Sequence, residues 1–210
     1  GVDIDVTGDL TLNGDIAMGD SSSNAGAVAL DGVSGNIILS SGGSSDANTV
    51  TISTNDSGTD AAITIGAVED GGSTLALYLD AGDADVTFSS TVGVTTAIGA
   101  LTVLGNDLDL SGGNIEATGD MILVANNPGA DAESITFTGR DIDTNGGNVF
   151  LSADDITFGT ALLSTGSSGT TTVTIVGDDE ASAITVAGGA GSDANLEVSE
   201  ADLVTIGSDF

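Results

Sequence analysis

The stretch Asp107 to Val124, DLDLSGGNIEATGDMILV, recurs without a gap 34 residues later as Asp141 to Phe158, DIDTNGGNVFLSADDITF. The register keeps Asp107/Asp141, Asp109/Asp143, Gly112/Gly146, Gly113/Gly147, Asn114/Asn148, Asp120/Asp154 and Ile122/Ile156. Leu108/Ile142 and Ile115/Val149 change only the shape of an apolar side chain. A looser copy opens the chain, where Asp3, Ile4, Asp5 and Val6 match the start of the unit. A second family is interleaved with the first: TVTIS at Thr49 to Ser53 and AAITI at Ala61 to Ile65 return as Thr172 to Val176 and Ser182 to Val186. Repeats of this size imply one supersecondary unit stacked on its neighbours, each burying a face that it could not bury alone. They favour one continuous repetitive β domain over residues 1–210.

Within the unit the hydrophobic period is two. From Val2 to Met18, Ile4, Val6, Leu10, Leu12, Ile16 and Met18 alternate with Asp, Thr and Gly, and Thr7-Gly8 and Asn13-Gly14 supply tight turns. The same pattern predicts roughly twenty short strands along the chain, at the spacing of an all-β body. No segment repeats apolar residues at helical spacing. Two architectures compete. An antiparallel β-sandwich, with Val2 to Val6 or Leu203 to Phe210 donated to a neighbour's sheet, calls for longer strands and large aromatic core residues. A repetitive parallel β-solenoid uses short strands, Gly/Asn/Asp corners and stacked inward Val, Ile and Leu. The 32 glycines and six aromatics favour the solenoid. With about 20 residues per coil and about 4.8 Å between coils, roughly ten coils would make a rod about 50 Å long. A 34-residue spacing fits either two short coils or one coil with a side loop.

The runs DIDTNGGNVFLSADDITFG, GDADVTFSSTVGVTTAIGALTVLGNDLDLSGGNIEATGDMILV and VDIDVTGDLTLNGDI resemble the β-strand repeats of large secreted bacterial proteins of the filamentous-haemagglutinin-like kind. The resemblance rests on repeat style. It implies a right-handed parallel β-helix in an extracellular adhesin or matrix fibre.

Charge narrows the function. There are 32 acidic residues, no Lys, His or Cys, and a single cation, Arg140. Such a polyanion repels nucleic acid and anionic membrane surfaces, and neither long uncharged run, Val86 to Asn106 or Ile156 to Gly177, is apolar enough to span a bilayer as a helix. Its stability is expected to rise with salt or divalent cations. The acids are overwhelmingly Asp, the residue whose carboxylate bonds nearby amides in turns. Without His, Cys or Lys the usual bases, nucleophiles and Schiff-base amines are missing, so no catalytic residues are expected.

Arg140 is expected to pair with a surface carboxylate. Tyr78 and the Phe residues are expected to fill the core or cap its ends. Divalent-cation candidates are Asp178 and Asp179, in the densest acidic cluster, and Asp193, in GGAGSD, which fits the first six positions of a calcium-binding nonapeptide. No cofactor is expected, apart from calcium at those residues. The favoured function is a structural subunit of an extracellular or cell-surface fibre, adhesin, surface layer or biofilm matrix. Its partner would be other copies of itself, since a solenoid exposes unpaired strand edges at its terminal coils. The alternative is a calcium-dependent adhesin module that binds carbohydrate or protein on a host or neighbouring cell.

Overall fold

A computed structural model describes residues 1–18, 26–40, 48–55, 59–126, 133–159, 163–164, 173–177, 185–186 and 197–198. Among them there is no helix, and every strand pairing is parallel. The antiparallel sandwich is therefore not what these residues build. Strands of two to five residues stack in three ladders. The first ladder runs through Val2–Asp3, Val28–Leu30, Ile63–Ile65, Val86–Phe88, Leu108–Asp109, Ser134–Thr136 and Asp155–Thr157, then Glu197–Val198 and Thr185–Val186. The third ladder is Ile16–Ala17, Thr49–Ser53, Ala76–Asp80, Leu101–Gly105, Met121–Ala125, Val149–Ser152 and Val173–Val176. Between them lies a second ladder in two parts, Leu10–Leu12 to Val68–Asp70 and Ile115–Glu116 to Leu163–Ser164, joined through single bridges at Val92.

The chain visits the ladders in turn, so each circuit lays one layer on the last. Partner residues are separated by 20 positions between Leu101 and Met121 but by 36 between Ile16 and Ile52, because the loops at the corners differ in length. The seven-stranded third ladder, from Ile16–Ala17 to Val173–Val176, is about 30 Å tall at strand spacing. The 34-residue repeat is neither two coils nor one coil with a side loop. Leu108 pairs with Ile135 and Ile115 with Ile142, each 27 residues on. A further seven residues carry the chain from Ile135 on the first ladder to Ile142 on the second. The two sequence copies are thus turned by one side relative to each other. All three sides obey the same alternation and corner chemistry, so self-similarity does not distinguish them. The second repeat family does keep its phase. Thr49–Ser53 and Val173–Val176 both lie on the third ladder, and Ile63–Ile65 and Thr185–Val186 on the first.

Alternate residues point inward and stack in rows. On the first ladder one row is Val28, Ile63, Val86, Leu108, Ile135 and Ile156; the next is Leu30, Ile65, Phe88, Leu110, Phe137 and Phe158. All are essentially removed from water, each contributing roughly 1.5–3 kcal/mol by burial. Phe137 and Phe158 stack with ring centroids 5.3 Å apart and planes 14° off parallel, an arrangement worth about 1 kcal/mol beyond its area. The glycines of the repeat allow layers to close at the corners. A Cβ on Gly112 would sit 2.0 Å from the Phe88 carbonyl oxygen, and one on Gly147 2.1 Å from that of Gly119.

Candidate functional site

Much of the acidic composition serves to join layers. Asp side chains do cap local turns, as when Asp109 Oδ1 accepts from Ser111 N–H at 2.9 Å and Asp143 Oδ1 from Asn145 N–H at 2.8 Å. Many instead reach up to the next layer. Asp9 Oδ1 accepts from Asn36 N–H at 2.9 Å, Asp15 Oδ1 from Thr51 N–H at 2.9 Å and Asp60 Oδ2 from Asp83 N–H at 2.7 Å. Asp107 Oδ1 likewise takes Ser134 N–H at 2.9 Å, and Asp120 Oδ1 takes Asn148 N–H at 2.8 Å. In each case the carboxylate belongs to the earlier layer and the amide to the later one. Charge-assisted bonds of this kind satisfy corner N–H groups that no strand partner reaches. The stack therefore has a direction.

The first described layer, residues 1–18, is less covered than the layers above it. Of its inward residues Leu12 is buried, but Val2, Ile4, Val6, Leu10, Ile16 and Met18 are only half-buried, whereas Val28, Leu30, Ile37 and Ile52 one layer up are almost wholly buried. The inward residues donate upward, Val2 N–H to Ala27 O at 2.8 Å, Ile4 N–H to Ala29 O at 3.1 Å and Leu10 N–H to Asn36 O at 2.9 Å. In a parallel ladder alternate residues address opposite neighbours, so Asp3 and Thr11 between them turn their amides and carbonyls to the open side. With no strand among the described residues paired on that side, the half-exposed apolar row can take up another parallel layer. Val2–Asp3 pairs within its own chain, so it is not a donated strand. Asp3 and Asp5 are both exposed, but the Asp5 carboxylate reaches up against Gly32 of the next layer, as Asp9 and Asp15 reach theirs.

Other expected residues fall differently. Asp178, Asp179, Asp193 and Leu203 to Phe210 lie outside the described residues. Among the described residues no group of three metal-ligating side chains occurs, and no helix is long and apolar enough to cross a membrane. Arg140 is exposed and donates from Nε to the Ser111 carbonyl at 2.8 Å, one layer below. The surface ion pair expected of it is replaced, among the described residues, by this backbone contact, which holds layers together as the aspartates do. Phe88, Phe137 and Phe158 are core residues, but Tyr78 and Phe150 are not. Both stand half-buried on the outer side of the third ladder, in the row Thr51, Tyr78, Thr102, Ile122 and Phe150. Their side-chain parity with Thr51 and Thr102 was the available signal, since Thr alternates outward.

The chain matches no family model, no curated protein and no solved structure.

Proposed function

We propose that this chain is a structural module of an extracellular or cell-surface fibre, adhesin or matrix, a parallel β-solenoid whose first described layer accepts a further parallel layer on its half-exposed apolar side. The observation that carries the reading is the contrast between half-exposed Ile4, Leu10 and Ile16 and the buried Leu30, Ile37 and Ile52 above them in the same ladders. The three-ladder circuit supports a solenoid, and the resemblance to filamentous-haemagglutinin-like repeats supports a right-handed one and an extracellular address. Because the stack has a direction, a copy docking on this face would meet it with a different surface of its own, a head-to-tail contact of the kind that builds filaments. The absence of His, Cys and Lys supports a non-enzymatic role.

Negative-stain electron microscopy of the purified chain, compared with an Ile4→Asp/Ile16→Asp variant, tests the reading. Both substitutions place charge on side chains that are already half in water, so the variant should melt within about 2 kcal/mol of the parent. The expected result is filaments from the parent and none from the variant. Single particles from the parent at every protein and salt concentration would remove end-on assembly from the account.

A further inference from the structure

Glu133 is fully buried, and neither carboxylate oxygen has a hydrogen-bond partner among the described residues. Its position follows from the alternation: it lies two residues before Ile135 and four before Phe137, on the inward row of the first ladder. The register Ser134↔Asp155 sets it opposite Asp154 of the next layer, and the Glu133 carbonyl accepts from Asp154 N–H at 3.1 Å and from Asp155 N–H at 3.0 Å. Asp154 also buries its Oδ1 at this corner. Followed upward, the corner column reads Ala84, Asn106, Glu133, Asp154, apolar at the lower layer and acidic at the upper two.

An ionised carboxylate in such a place needs a countercharge, because desolvation without a partner is too costly for a marginally stable fold. The protein has none to give: it contains no Lys or His, and Arg140 is on the surface against Ser111. Two carboxylates in register in adjacent layers are hard oxygen donors suited to a divalent cation of the calcium class. We infer that the Glu133–Asp154 corner binds one such cation. The ion ties the layer of Ser134–Thr136 to that of Asp155–Thr157 from inside, as the aspartate-to-amide bonds tie other layers from outside. This site is separate from Asp178, Asp179 and Asp193, and it does not depend on filament formation.

The test is calorimetric titration of the whole chain with calcium at physiological ionic strength, where diffuse attraction to the polyanion is screened, alongside melting in calcium and in chelator. Glu133→Gln removes the buried charge at nearly constant shape; Asp3→Asn removes the same charge from the exposed rim. The parent should show one saturable site and melt higher in calcium than in chelator. Glu133→Gln should weaken that site by about tenfold or more and lose the melting increment, whereas Asp3→Asn keeps both. Equal titrations for the parent and Glu133→Gln would reduce calcium to a diffuse atmosphere and overturn the site. A carboxyl carbon resonance that shows metal-free Glu133 as a neutral acid, with no melting gain on adding calcium, would assign the countercharge to a proton and overturn it equally. Asp154→Asn serves as the second variant should Glu133→Gln not fold.

Discussion

Among the described residues two corners bury carboxylates, and they are built in opposite ways. At the end of Val68–Asp70, Glu69 and Asp70 are almost wholly buried and surrounded by donors. Asp70 accepts from Gly72 N–H at 2.6 Å and from Thr74 and Leu75 N–H at 2.9 Å each. Glu69 accepts from Thr95 N–H at 3.1 Å and Thr96 N–H at 2.6 Å, one layer on. Thr74 takes a left-handed conformation, φ 57°, to complete the turn around Asp70. At the Glu133 corner the acid is at least as deeply buried and meets no donor. The first corner is finished by the chain's own amides; at the second, the proposed cation would take their place. What separates the two buried acids is whether the backbone turns its N–H groups toward them.

The sharpest way to break this comparison is to neutralise each acid in turn. Asp70→Asn keeps the shape but turns an amide donor toward three N–H groups, and should lower stability by about 2–3 kcal/mol, read from the urea midpoint. Glu133→Gln in chelator should shift the midpoint the other way, by about 1–2 kcal/mol, because it removes a charge that nothing offsets. Shifts of the same sign at both corners would erase the distinction. The smallest effect is on the outer surface. Burial, and then the neighbouring Asp80, raises the Tyr78 phenol above its ordinary 10.0. Between that value and the raised one the folded phenol keeps a proton that the unfolded one has released, so stability falls as pH rises above about 10. Tyr78 is the sole tyrosine, so its phenolate absorbance reports the midpoint directly, and Asp80→Asn should bring that midpoint back toward 10.0.

The all-β class was legible because period-two alternation leaves no helical face, and parallel stacking because the repeats are short and their corners glycine-rich. The register was not. DLDLSGGN and DIDTNGGN align across different ladders, since Gly113 and Gly147 both answer to backbone closing in from the layer below, whichever side they occupy. A truer signal was present in Glu133-Ser134-Ile135-Thr136-Phe137 and Asp154-Asp155-Ile156-Thr157-Phe158, which the structure places side by side. The alternation in those two runs also puts Glu133 and Asp154 in phase with Ile135 and Ile156, on the buried side. Reading acids as turn formers hid this, as it hid the reach of Asp9, Asp60 and Asp120 to the next layer. Such contacts depend on loop lengths at the corners, which a sequence pattern does not state.

Both the open first layer and the Glu133–Asp154 pairing depend on the layer register, so that register is what most needs direct measurement. The chain has no cysteine, and paired substitutions can therefore be read without background. Asp109→Cys/Thr136→Cys joins registered neighbours on the outside of the first ladder, while Asp109→Cys/Asp143→Cys joins positions related by the 34-residue sequence repeat. Under mild oxidation the first pair should form an intramolecular disulfide and the second should remain reduced. Efficient closure of the 109/143 pair with none at 109/136 would contradict the stacking described above, and both sites would fall with it.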